Sequence, residues 1–320
     1  MTESHLTNPT DHHFLISAPR SGSTWLARAI GEHPDLITTE SRLFGNFFEL
    51  WKNNAGRPIP RITGDQFILG LSRHSFFESL GFQTANEMAS DLFPQFQHFL
   101  TDYIKVRSGK SIIVDKVTPY LGTAAHVYSQ IKKQRGAKII NLIRDGRDVA
   151  VSGIFDWIRR EEAESPRYRF YVMQEPGARL SRFFDDERLE RWAQYWIEPI
   201  IASQDNPSDS LEVRYEDMLT NQAAELERIF EFLAVQSNTE LAQACADAVT
   251  FEKLTGRDSG TAEPLAKTRK GIAGDWRNFF TQRDAQLFQD LTGPWLRQLG
   301  YESDPSWIEN CPESLELALP

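Results

Sequence analysis

The sequence predicts an α/β protein: three layers, with a mostly parallel central sheet and helices on both faces. Three observations predict it. Short apolar runs alternate along the chain with longer segments of helical period. The first of these runs passes through a small-residue loop into a helix and then a second apolar run, the order of a βαβ unit. The chain has 320 residues, 40% of them hydrophobic and 25% charged, which is usual for a globular protein with room for one large domain.

The elements follow in order. "HHFLIS" (12–17) is apolar and short, as expected of a strand buried on both faces, and Ala18-Pro19 closes it. "STWLARAIGEHP" has Trp25, Leu26, Ala29 and Ile30 on one side of a helix that Gly31 and Pro34 stop. "DLITTE" (35–40), "SIIVDK" (111–116), "AKIINLI" (137–143) and "LEVRY" (211–215) are further strands. Helices are expected over 121–136, with a basic last turn and a Gly stop, from 147 into the charged run near 164, and over 221–235. A terminal helix spans 281–301, bent or broken near Gly293-Pro294. "LAQACADAV" reads as a buried helix face carrying Cys245. Residues 1–11 are expected to be a flexible N-terminus, 12–302 a single domain with a Phe-rich helical insertion over 41–110, and 303–320 a C-terminal tail.

The net charge of −10 argues against nucleic acid, which needs a basic surface, so any basic cluster is informative. Cys245 and Cys311 are the two cysteines and give neither a disulfide framework nor zinc spacing. No signal peptide is visible and no run approaches 18 apolar residues, so a cytoplasmic protein without a membrane span is expected.

Three stretches carry chemistry. "PRSGSTW" (19–25) sits between a strand and a helix start, where backbone N–H groups and the helix dipole receive an anion. Read alone it is equally a turn capped by a hydroxyl. It lacks the lysine that an ATP or GTP loop places before its Ser/Thr, so magnesium–triphosphate chemistry, and with it an ATP-dependent kinase, is the less favoured alternative. "LIRDGRDVAVS" (142–152) puts Arg144 at a strand's carboxyl end and Ser152 in the following helix, a guanidinium and a hydroxyl able to share one anion. Arg144 can instead pair with Asp148. "TRKGIAGDW" (268–276) offers Arg269, Lys270 and Gly271 as a local anion clamp, or as a solvated basic loop.

Together these stretches resemble the signatures of sulfotransferases that use 3′-phosphoadenosine 5′-phosphosulfate (PAPS), a family with a P-loop NTPase-like fold. The resemblance implies that Arg20 lies on the sulfonate and its bridging oxygen, with Ser21, Gly22, Ser23 and Thr24 around the 5′-phosphosulfate. It places Trp25 on the adenine, where the bare sequence would make it a core aromatic. Arg144, Ser152, Arg269, Lys270 and Gly271 would hold the 3′-phosphate, and Tyr215, in "VRYEDML", would lie near the adenine. "EHPDLITTESR" (32–42) is similar to the segment of tyrosylprotein and some carbohydrate sulfotransferases whose glutamate is the general base. This makes Glu40 the candidate base, beside the simpler reading of a surface Glu paired with Arg42. Lys116 resembles a lysine near the transferring group, although Val117 is an extra residue before Thr118-Pro119. His126 and His74 are the fallback bases. The implied reaction is in-line sulfonate transfer from PAPS to an acceptor hydroxyl, with fixed cations and no metal. Small-molecule, carbohydrate or peptide acceptors fit, a homodimer is compatible, and substrate contacts are expected over 41–110 and 160–200, where the resemblance is poor.

Overall fold

Phe14, Leu15 and Ile16 put apolar side chains on both faces of the first strand, neither face is exposed, and the strand lies at the centre of the sheet. The structure, a computed structural model, describes residues 11–40, 99, 101–132, 134, 136–158, 165–205, 209–264, 266, 268–315 and 317–318. Strands β1 (His12–Ser17), β2 (Leu36–Thr39), β3 (Ile112–Val117), β4 (Ile139–Ile143) and β6 (Ser210–Arg214) form one parallel sheet in the order β2-β3-β1-β4-β6. A short antiparallel pair joins β5 (Arg179–Leu180) to β7 (Leu317–Ala318).

Side chains alternate along β1, so successive residues serve opposite layers. Leu15, with Val114 and Leu142, packs under α1 (Ser23–Gly31), α6 (Gln222–Leu233) and α7 (Thr239–Ala248). Phe14, Ile16 and Val117 pack against α2 (Ala124–Lys132) on the other face. There α3 (Gly146–Ile158), α4 (Asp186–Gln204) and α9 (Gln282–Gln298) share a second core around Phe155, Trp196 and Phe288. This is the expected three-layer α/β arrangement.

Three details differ from the sequence expectation. Helix α9 runs unbroken through Pro294. Its buried Phe288 and Leu296, on either side of the proline, hold both halves against the core, so packing outweighs the lost hydrogen bond. Helix α4, also with an internal proline at Pro199, was not expected. The segment beyond residue 302 is anchored rather than tail-like. Trp307 is buried edge-on to Trp276, its ring N–H donates to Gln289 (2.9 Å), and Cys311 and Leu315 are buried. Of the insertion, only Phe99 and residues 101–110 are described, 101–108 being helical. Phe44, Phe47, Phe48, Trp51, Phe67, Phe76, Phe77 and the candidate base His74 lie outside the described residues.

His13 gives the sheet a pH dependence. Its Nδ1 accepts the Lys138 N–H (3.2 Å), which requires that nitrogen to be unprotonated. Burial, helped by Lys138 and His12, lowers the imidazole from 6.5 to about 4. The unfolded chain therefore takes up the proton first: the stabilisation is complete above 6.5 and is lost as pH falls towards 4. Denaturant titrations should show about 2 kcal/mol lost through this group between about pH 7 and pH 5. His13→Asn, which retains an acceptor but cannot titrate, should remove that part of the slope.

Candidate active site

Parallel register brings the strand ends that carry the motifs side by side. Ile16 pairs with Val117 on one side of β1 and Ser17 with Leu142 on the other, while Thr39 pairs with Asp115. The carboxyl ends of β1, β2, β3 and β4 thus lie on one edge, the edge where open α/β sheets take ligands.

The loop after β1 turns sharply. Arg20 has φ 69 and Gly22 φ 92, both in the left-handed region. For Arg20 this is strain of about 1–2 kcal/mol, which the surrounding structure must hold. Gly22 also has no space for a side chain, since a Cβ there would lie 2.7 Å from the Tyr215 ring. The Gly22 carbonyl accepts from Trp25 and Leu26 and so starts α1 (2.9 and 3.1 Å). The Arg20 guanidinium reaches α3, where Nε donates to Ser152 Oγ (3.1 Å) and Nη1 meets Asp156 Oδ1 (3.4 Å).

Arg144 joins the motifs. Its Nη1 donates to the Arg20 carbonyl (3.1 Å) and its Nη2 to the Ile272 carbonyl (3.2 Å). The guanidinium lies 4.3 Å over the Tyr215 ring and 3.7 Å from Asp148. Burial opposes its charge, but Tyr215, Asp148, Glu216 and Asp145 outweigh that and hold Arg144 above the usual arginine range. The alternative Arg144–Asp148 pairing thus exists beside the inter-motif contacts. Asp145 caps α3 by accepting the Arg147 N–H (2.9 Å). Asp148 accepts N–H bonds from Gly274 (2.7 Å) and Trp276 (2.9 Å), which pins the third motif beside the second.

Arg269 and Lys270 both pair with Asp275, Lys270 at 2.7 Å. Burial opposes the Asp275 charge, yet Lys270 and Arg269 hold its carboxyl below the usual range. Two cations facing one carboxylate leave the loop net positive.

These groups enclose a cavity of about 410 Å³. The first loop lines it with Arg20, Gly22, Ser23, Thr24 and Trp25, the second motif with Arg144 and Ser152, and the third with Arg269, Lys270 and Gly271. Tyr215, first residue of α5 (Tyr215–Thr220), also lines it. Trp25 and Tyr215 meet edge to face at 5.8 Å, and the Trp25 ring N–H donates to Val249 (3.0 Å). Ser21 lies beneath the loop, fully buried, rather than on the cavity. Glu40 and Lys116 adjoin it: Lys116 Nζ donates to Thr24 Oγ1 (3.2 Å) and lies 3.0 Å from Glu40 Oε2. Glu40 therefore pairs with Lys116, while Arg42 lies outside the described residues. His126 is exposed on α2 and does not line the cavity. Among the described residues, no cluster of His, Cys, Asp and Glu could hold a metal ion, and no helix is long and apolar enough to cross a membrane.

Sequence reasoning missed several lining residues, among them Thr250, Phe251 and Leu254. Phe251 and Leu254 belong to α8 (Phe251–Thr255), which Thr250 caps and Gly256 ends. That cap-and-stop pair was the available signal.

The sulfotransferase-domain family matches residues 10–300 of the chain. The chain belongs to the sulfotransferase family. This sulfotransferase is 25% identical over 204 residues to mouse sulfotransferase 2A6, covering 59% of this chain and 68% of that protein. Its identity to rat sulfotransferase 2A1 is 26% over 203 residues, with the same coverage. It also resembles the crystal structure of mouse sulfotransferase SULT7A1 complexed with PAP (TM-score 0.52, 19% identity, 94% of this chain and 88% of that one), which supports the fold. The reaction of this sulfotransferase is sulfonate transfer from PAPS, and the kinase alternative has no support.

Proposed function

We propose that the nucleotide of PAPS lies in the cavity between the 20–25 loop and the 268–272 loop, and that its sulfonate passes to a hydroxyl of a small-molecule, carbohydrate or peptide acceptor. The observation that carries this reading is Arg144, one buried guanidinium bonded to backbone carbonyls of both loops. Two buried donors at the cavity also fit a polyanion: among the described residues, Arg144 Nε and Arg269 Nε have no hydrogen-bond partner.

When bound, PAPS supplies an activated sulfonate whose bridging oxygen leaves with the nucleotide. Arg20 neutralises that oxygen and, staying protonated, serves as an electrostatic stabiliser rather than a base. The loop Ser21–Thr24 surrounds the 5′ end, with the N-terminus of α1 behind it. Arg144, Ser152, Arg269, Lys270 and the Gly271 backbone bind the 3′-phosphate, and Trp25 and Tyr215 flank the adenine. Glu40 takes the acceptor proton. Lys116 ties that carboxylate to Thr24 and so to the donor loop. Both thiols, Cys245 and Cys311, are buried and unpaired, in keeping with a cytoplasmic protein.

Thermal-shift titration tests the reading. PAP or PAPS at a hundred times its Kd should stabilise the protein by about 2.7 kcal/mol, whereas ATP with magnesium should not. Glu40→Gln should keep the PAP shift and slow transfer of labelled sulfonate to a panel of phenols, sterols and sugars by about 10²–10⁴-fold. Equal stabilisation by ATP would overturn the donor assignment.

A further inference from the structure

The segment 256–274 carries the cations of the third motif, yet its described residues contain no regular secondary structure. An irregular loop still needs donors for its inward carbonyls. Here one side chain supplies three of them. Arg257 Nη1 donates to the Thr261 and Arg269 carbonyls (3.0 Å each), and Nη2 donates to Thr268 (2.6 Å). Its guanidinium also sits 5.5 Å over the ring of Phe251, a lining residue of the cavity. Two neighbours continue the pattern: the Gly260 N–H donates to Lys270 (2.8 Å) and Ser259 Oγ to Gly271 (3.1 Å).

These bonds set the direction of the loop's dipoles. In a trans peptide, C=O and the next N–H point in opposite directions. Drawing the Thr268, Arg269 and Lys270 carbonyls towards the 257–260 arm turns the N–H groups of Arg269, Lys270 and Gly271 away from it. Among the described residues, none of these three N–H groups donates a hydrogen bond. A run of outward N–H groups flanked by two cations is an anion-binding concavity, whereas carbonyls on that side would repel a phosphate. Gly271 (φ 65) completes the turn, and a Cβ there would overlap the Phe251 ring.

We propose that Arg257 is a positioning residue for the 3′-phosphate: its guanidinium gathers the loop carbonyls and thereby presents the Arg269–Gly271 amides and cations to the nucleotide. This rests on the reading that the third motif binds that phosphate. Arg257 itself touches loop backbone, so it sets selectivity for a 3′-phosphorylated nucleotide without contributing to the transferring centre.

The test compares PAP with AMP, which lacks only the 3′-phosphate, by calorimetry on the full chain. Arg257→Met should reduce PAP affinity about tenfold or more and leave AMP affinity within about twofold, so the PAP:AMP ratio collapses. Hydrogen exchange of the Gly260 and Glu263 amides, which donate to the Lys270 and Arg269 carbonyls, should accelerate about tenfold or more in the nucleotide-free form of the same variant. An unchanged ratio overturns the proposal. So does a reduced ratio with unchanged exchange, because Arg257 would then act only as a distant charge. If Arg257→Met does not fold, Arg257→Lys replaces it with the same two readouts; its single ammonium cannot span the positions of Nη1 and Nη2. A parent protein that binds PAP and AMP equally would instead overturn the 3′-phosphate reading itself.

Discussion

Arg20→Ala is expected to slow transfer by about 10²–10³-fold and to leave PAP binding nearly intact. The side chain is held by Ser152 and Asp156 on α3, and its contact strengthens as charge develops across the sulfonate and its bridging oxygen, so the free energy of that contact is expressed chiefly in the transition state. Removing one such donor costs about 2.7–4 kcal/mol, or about 10²–10³-fold in kcat. The backbone adds a second signature. Arg20 sits at φ 69, which glycine adopts without strain. Arg20→Gly should thus be as slow as Arg20→Ala and more stable than it by about 1 kcal/mol. Transfer assays with labelled PAPS, PAP calorimetry and thermal melts check all three statements. An Arg20→Ala protein with undiminished transfer overturns the role given to this residue.

Arg144→Ala has the opposite profile: it loses the nucleotide. A buried, charge-assisted contact is worth about 2–5 kcal/mol when one partner is truncated. The side chain also supplies donors to the Arg20 and Ile272 carbonyls, so its removal loosens both walls of the cavity. PAP affinity should fall within that range, and Arg144→Lys should not restore it, because an ammonium cannot fork between two loops. PAP binding equal to the parent's would show that Arg144 does not contact the 3′-phosphate.

These two residues were legible in the sequence because each lies within three residues of a strand's end, and the strands were evident from short, mainly apolar runs such as Phe14–Ile16 and Ile139–Ile143. The parallel sheet also followed, since helices of recognisable period separate the runs. Helix α4 was readable too: Leu189, Ala193, Trp196 and Ile200 recur at helical spacing, but Pro199 and the dense charge around them obscured it. What no local pattern carries is the pairing of distant charges. Nothing near Lys116 announces Glu40, and nothing near Asp148 announces the amides of Gly274 and Trp276. Asp275 lies inside the third motif, yet its partnership with Arg269 and Lys270 depends on a turn that only the fold defines.

The central position of β1 bears on how the protein is made. Its partners are residues 113–117 and 139–142, so the first strand leaves the ribosome about a hundred codons ahead of anything it can pair with. Until β4 emerges, an apolar ribbon ending in the donor loop stays uncovered, and chaperones are its natural shelter. Competence to bind the donor therefore arrives late in synthesis, after the segment bearing Arg269 and Lys270 has been translated and docked.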